Sequence, residues 1–296
     1  MSQATNQESL FSVKGIVAVI TGGGSGLGAN IAKALDANGA RAVYILGRRA
    51  DSLKKTADAA VNRSIVPLTA DVTSQESLSA AVETIRAREG LVNVLIANSG
   101  IIGPSTADLF AGGKTPSIDE LQSKLWSTPI EEFTKPLHVN VTGAFYTAVA
   151  FLGLLDAANR QPDSASRPKS QVIVVTSIAG FMRNPAAGFA YSASKAAATH
   201  MVKQLSTSLA PYKIRCNGIA PGFFPSEMTE SVPFMQGLDP RIEGNVSSQI
   251  CPLERTGSEE DINGLALFLI SRAGAYVNGC VQLIDGGRVA IFPAAY

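Results

Sequence analysis

Tyr191 and Lys195 stand four residues apart in the run Tyr191-Ser192-Ala193-Ser194-Lys195, fourteen residues after Ser177. Ala196, Ala197 and Ala198 follow and favour a helix, on which positions i and i+4 lie one above the other. This spacing holds a phenol beside an ammonium. A free tyrosine titrates near pH ~10 and is a poor base at neutrality. An adjacent cation stabilises the phenolate and draws its pKa toward the working range. The chemistry implied is proton transfer to or from an oxygen, with the Ser177 hydroxyl as a third participant. A Tyr and a Lys also reach this spacing by chance on a surface helix, so the pair alone does not decide.

A second pattern lies near the N-terminus. Ile16-Val17-Ala18-Val19-Ile20 is a short apolar, β-branched run that reads as a buried strand. Thr21-Gly22-Gly23-Gly24-Ser25-Gly26-Leu27-Gly28 follows at once, then a helical stretch that ends near Asn38-Gly39. In a strand–turn–helix setting such glycines allow a tight turn, a close approach to a pyrophosphate, and tight packing of helix on strand. The helix N-terminus adds unpaired N–H groups and a positive dipole end. A purely structural turn is the other reading.

The elements around these residues alternate. Strand-like runs recur at 16–20, 42–46, 64–68, 92–97, 171–176, 214–219 and 281–284. Helical spacing covers 51–61, 75–88, 139–155 and 192–209. This rhythm predicts an α/β fold with a doubly wound, parallel seven-stranded sheet and helices on both faces. A ligand then belongs at the carboxyl ends of the strands. No repeat or linker divides the chain, so residues 1–296 read as one domain.

With these motifs in order, the chain resembles the short-chain dehydrogenase/reductase (SDR) family, over about residues 13–287. Gly22, Gly26 and Gly28 match the family's TGxxxGxG turn, and Ala97-Asn98-Ser99-Gly100 resembles its NNAG segment. Ser177, Tyr191 and Lys195 match its catalytic triad, and Asn140 in His138-Val139-Asn140-Val141-Thr142-Gly143 its fourth member. Pro221-Gly222 matches the PG motif and Asp285-Gly286-Gly287 the C-terminal ending. The resemblance implies a Rossmann fold and reversible hydride transfer between a nicotinamide and a ketone or secondary alcohol. Tyr191 is then the proton donor or acceptor, and Lys195 lowers its pKa and bonds the nicotinamide ribose. Ser177 polarises the carbonyl oxygen, and Asn140 holds a relay water unless it is only a satisfied helix residue. The resemblance also makes residues 223–250 a substrate lid, residues 101–131 an enlarged loop, and the molecule a homodimer or homotetramer.

Cofactor choice turns on Leu46-Gly47-Arg48-Arg49. An acid at the end of the second strand would bond the ribose hydroxyls and repel a 2′-phosphate. Gly47 occupies that place here, and Arg48 follows with a fork suited to phosphate. NADP(H) is therefore expected, with NAD(H) as the other possibility, since both arginines could be solvated charges opening a helix. Further expected cofactor contacts are Ser25, Leu27, Asp71, Val72, Asn98, Phe224 and Ser226. Phe181, Met182, Phe189, Phe223 and Met228 could form an apolar pocket, and with the enlarged loop they suggest a bulky, apolar ketone.

Composition narrows the alternatives. A net charge of +1 gives no electrostatic case for nucleic acid or an anionic membrane surface. No run of eighteen apolar residues occurs, and the polar start Met1-Ser2-Gln3-Ala4 lacks the order of a signal peptide. Cys216, Cys251 and Cys280 are widely spaced, which predicts buried or half-buried thiols and no metal. These features predict a soluble, cytoplasmic protein. Ser177 as a hydrolytic nucleophile lacks a GxSxG elbow. His138 and His200 fit no triad and read as packing or surface residues. A dinucleotide-binding scaffold without redox chemistry is the alternative from another class.

Overall fold

The computed structural model describes residues 6–113, 115–164, 167–184, 187–230 and 232–295. Lys114, Pro185 and Ser231, which fall in the expected loop, in the Ser177–Tyr191 interval and in the lid, lie outside them. The strands are β1 (Val17–Thr21), β2 (Ala42–Gly47), β3 (Ile65–Thr69), β4 (Val94–Ala97), β5 (Gln171–Val175), β6 (Arg215–Pro221) and β7 (Val281–Ile284). They form one parallel sheet in the order β3-β2-β1-β4-β5-β6-β7. The helices are α1 (Gln7–Leu10), α2 (Gly26–Ala37), α3 (Ala50–Asp58), α4 (Gln75–Glu89) and α5 (Ile118–Trp126). They continue as α6 (Ile130–Leu137), α7 (Ala144–Asn159), α8 (Phe189–Ser208), α9 (Glu259–Ile270) and α10 (Arg288–Ile291).

The central strands are apolar except at their ends, Thr21 of β1 and Gln171 of β5, because both sheet faces are covered. Side-chain alternation splits them between two cores. Val17, Val19, Leu95, Val172 and Val174 meet Ile85 of α4, Phe151 of α7 and Val202 of α8 on one face. Ala18, Ile20, Ile96, Ile173 and Val175 meet Ile31 of α2 and Ile262 of α9 on the other. Strand order reverses between β1 and β4. Connections diverge to opposite sides there and open a crevice at the strand carboxyl ends.

Three features depart from the sequence reading. The segment 101–131 is not simply a loop. It carries a 3₁₀ stretch at Ala107–Gly113 and helix α5, opened by a capping box. Ser117 Oγ accepts from the Glu120 N–H at 3.2 Å, and the Glu120 carboxylate accepts from the Ser117 N–H at 2.8 Å. Next, helix runs unbroken from Ile130 to Asn159 through a π-helical turn at His138–Gly143. By length, and by the mean hydropathy of an 18-residue window within it (1.5), this stretch is apolar enough to cross a bilayer. Ala144, Ala148, Phe151 and Leu155 are instead buried in the core beside the sheet, as in a core helix. Finally, Cys216 and Cys251 are buried but Cys280 is exposed, contrary to the expectation for all three thiols.

Candidate active site

Ser177, Tyr191 and Lys195 meet at the carboxyl end of β5. Ser177 follows that strand directly and caps the 3₁₀ turn Ile178–Gly180, its Oγ accepting from the Ala179 N–H at 3.1 Å. The turn lies against the first turns of α8 because residue 180 has no side chain. A Cβ on Gly180 would lie 2.7 Å from the Lys195 carbonyl carbon and 2.8 Å from Ala196 N. Sequence reasoning missed Gly180, although a glycine three residues after the serine is a readable signal. α8 begins at Phe189, so Tyr191 and Lys195 both lie within it, as the i, i+4 argument requires. The Ser177 hydroxyl lies close enough to the Tyr191 phenol to favour its ionised form.

Lys195 is buried. Its ammonium donates to the Val175 carbonyl at 2.9 Å and stands 5.7 Å from the centroid of the Tyr191 ring. Desolvation lowers its pKa to about 8. Desolvation also raises the Tyr191 pKa, against a smaller downward pull from the Ser177 hydroxyl. At the phenol, burial thus outweighs the Ser177 interaction.

Asn140 lies behind the cleft in the π-helical turn. Its Oδ1 accepts from the Ile101 N–H at 2.9 Å, and its Nδ2 donates to the Ile101 carbonyl at 3.0 Å and to Ser194 Oγ at 2.9 Å. Ser194 Oγ in turn donates to the Tyr191 carbonyl at 2.7 Å. Asn140 thus ties the segment after β4 to the helical turn that carries Tyr191. Its side chain keeps one Oδ1 lone pair for a water. Ser194, buried between Asn140 and Tyr191, is a positioning residue that its motif did not reveal.

A cleft of about 480 Å³ runs from Tyr191 across the glycine turn to Arg48. Gly22, Ser25, Gly26, Leu27, Arg48, Asp71, Val72, Asn98, Pro221, Gly222, Phe224 and Ser226 line it with Ser177, Tyr191 and Lys195. Gly28 lies beneath the turn and not in the lining of the cleft. It lets α2 pack on the strand ends, since a Cβ there would fall 2.5 Å from both Asn98 Nδ2 and the Gly22 carbonyl. Asn98 Nδ2 donates to the carbonyls of Thr21 (3.0 Å) and Gly22 (3.2 Å), fixing the turn to the end of β4. Backbone at this closeness, beside the N-terminus of α2, forms a cradle that fits a dinucleotide pyrophosphate.

At the far end Asp71 accepts from the Thr73 hydroxyl (2.7 Å) and N–H (2.9 Å). These bonds, with a smaller contribution from the Arg48 charge, hold its carboxyl below the usual range. Arg48 is exposed at the cleft and has no ion pair among the described residues. Arg49 instead pairs with Glu227 of the segment that follows β6 at 2.6 Å. His138 lines the cleft rim, and both histidines are exposed. Of the five apolar residues expected around a substrate, only Met228 lines the cleft. Phe223 faces a second cavity of about 450 Å³. It stacks edge-on with Phe234 and lies under the Arg288 guanidinium, 4.7 Å from its ring centroid. Met182 pairs with Ala294 of the C-terminal segment. Phe189 is exposed, and Phe181 lines neither cavity.

The short chain dehydrogenase family model matches residues 16–236. The short-chain dehydrogenase/reductase PhomF of Diaporthe leptostromiformis is 44% identical over 291 residues, 97% of this chain and 96% of the relative. Among solved structures, the Pseudomonas aeruginosa RhlG/NADP active-site complex is 30% identical with a TM-score of 0.77, covering 95% of this chain and 99% of that one. A 7α-hydroxysteroid dehydrogenase complexed with NADH and 7-oxo glycochenodeoxycholic acid is 26% identical with a TM-score of 0.76, covering 96% and 97%. A matched family model over most of the chain, a close relative along its whole length and the assembled Ser177–Tyr191–Lys195 site agree, and the chain belongs to the short-chain dehydrogenase/reductase family of oxidoreductases.

Proposed function

We propose that the protein is an NADP(H)-dependent ketoreductase or alcohol dehydrogenase in which Tyr191 exchanges the proton. The observation that carries the reading is the convergence of Tyr191, Ser177 and Lys195 at one end of a cleft whose middle is the glycine cradle. The cleft residues would hold a reduced nicotinamide, which when bound would supply the hydride for the carbonyl carbon. The carbonyl π pair then moves to oxygen, and Tyr191 breaks its O–H bond to protonate that oxygen, giving the secondary alcohol. Ser177 stabilises the charge on the same oxygen. Lys195 returns a proton to the phenolate, and a water on Asn140 refills Lys195 from solvent. In the oxidative direction each transfer reverses. A scaffold role would need no such trio around a buried lysine.

Arg48, with no ion pair among the described residues and set at the cleft where an acid would select against a 2′-phosphate, supports NADP(H) over NAD(H). The RhlG complex with NADP favours the same choice, while the NADH complex of the hydroxysteroid dehydrogenase keeps NAD(H) as the second arm of the test. The substrate is a bulky, apolar ketone or its alcohol, a reading that the 7-oxo steroid ligand of that relative supports. Phe145, Tyr146 and Val149 are exposed together on α7, in keeping with a homodimer or homotetramer. The exposed, unpaired Cys280 suits a reducing, cytoplasmic setting.

The test follows the near-ultraviolet absorbance of NADPH and NADH with a panel of ketones. Faster loss of NADPH with a bulky ketone is expected. Binding of either cofactor without turnover of any ketone or alcohol would favour the scaffold.

A further inference from the structure

The segment that follows β6 meets the glycine turn at one point. Arg49 Nη2 lies 2.6 Å from Glu227 Oε2 and donates to Ser25 Oγ at 3.3 Å. Ser25 adds a smaller favourable interaction with the Glu227 carboxylate. A Cβ placed on Gly26 would come within 3.3 Å of the Ser226 Cβ, so the segment here rests on the first turn of α2. A carboxylate from that segment thus occupies the edge of the phosphate cradle, where the helix dipole favours negative charge. The two neighbouring arginines differ accordingly. Arg48 faces the cleft with no ion pair among the described residues, and Arg49 is neutralised by an internal acid.

We propose that Glu227 is a specificity-determining residue, whose carboxylate competes with the 2′-phosphate of the dinucleotide for Arg49. The inference rests on the proposed NADP(H) reading and adds a discriminating group to it. The pair is built to be displaced. Its side chains are 62% and 52% exposed, and ion pairs in that setting contribute little net stability. The carboxylate and the guanidinium each stabilise the charged form of the other, chiefly through their hydrogen bond. A phosphate carries more charge and more acceptor oxygens than a carboxylate, so it takes the arginine when both are present. A dinucleotide without the 2′-phosphate leaves Arg49 on Glu227.

Binding without any ketone tests this. Dissociation constants of NADPH, NADH, adenosine 2′,5′-bisphosphate and ADP are measured by calorimetry on the wild type, Glu227→Gln, Arg49→Gln and the double variant. Glu227→Gln should tighten NADPH and the bisphosphate about two- to fivefold, the size one exposed ion pair supplies, and leave NADH and ADP unchanged. Arg49→Gln should weaken NADPH and make the Glu227 substitution silent in the double variant. Loosening of both dinucleotides by Glu227→Gln would show a latch over bound cofactor and overturn the proposal, as would equal tightening of both. Wild type that binds NADPH with a silent Glu227→Gln sinks this inference alone. Wild type that binds neither dinucleotide sinks the cofactor reading with it.

Discussion

Replacing Lys195 with methionine should make the protein more stable and less active in one step. The ammonium is buried with a hydrogen bond to the Val175 carbonyl at 2.9 Å, and burial takes its pKa from 10.5 to about 8. At about 1.4 kcal/mol per pKa unit, the charged form costs the fold about 3 kcal/mol below that pH. Methionine follows the same unbranched path without charge. It leaves the Val175 carbonyl short of a donor, a loss of about 1 kcal/mol. The expected net gain in unfolding free energy near neutrality is about 2 kcal/mol. The sign of the pH dependence follows from the depressed folded pKa. Between about 8 and 10.5 the unfolded chain holds the proton more than the folded one does, so wild-type stability rises with pH and the advantage of the variant shrinks. Denaturant unfolding at fixed protein concentration, once near neutrality and once near the upper end of that window, reads both effects. Turnover of a responsive ketone should fall about 10²–10³-fold. A variant less stable than wild type near neutrality, or an advantage that does not shrink with alkalinity, would refute the reasoning.

Gly28→Ala forces a Cβ to 2.5 Å from Asn98 Nδ2 and the Gly22 carbonyl. It should destabilise the protein by about 2–3 kcal/mol; an unchanged melting temperature would contradict the close packing. Arg48→Asp should shift the ratio of NADPH to NADH affinity toward NADH by about tenfold, and an unchanged ratio in parallel titrations removes Arg48 from phosphate recognition. Asn140→Ala removes the hydrogen bonds to Ile101 and Ser194. Denaturant unfolding should register about 3 kcal/mol of lost stability, whereas a loss under about 0.5 kcal/mol would deny the tie between β4 and α8.

Local patterns were the legible part. The i, i+4 pair Tyr191 and Lys195, the glycine turn and seven apolar runs are each set within a few residues, and the sheet and the catalytic trio follow from them. α5 was hidden because Pro116 and Pro129 flank it, though Ser117-x-x-Glu120 marked its start. The bonds of Asn140 to Ile101 and Ser194 span 39 and 54 residues, and Arg49 meets Glu227 across 178. No spacing rule reaches that far. Apolar composition alone put Phe223 in the substrate pocket, and the Arg288 stack turned it toward the second cavity. The burial of Lys195 was equally invisible, since it depends on packing of the sheet against α8.

The central claim is that the Tyr191 hydroxyl delivers the proton. Tyr191→Phe keeps the ring and removes only that oxygen, so NADPH affinity by calorimetry and single-turnover oxidation of NADPH by a responsive ketone separate binding from chemistry. The account predicts affinity within about twofold of wild type and a single-turnover rate lowered by about 10²–10⁴-fold. Phenylalanine supporting a rate near that of the wild type would contradict it.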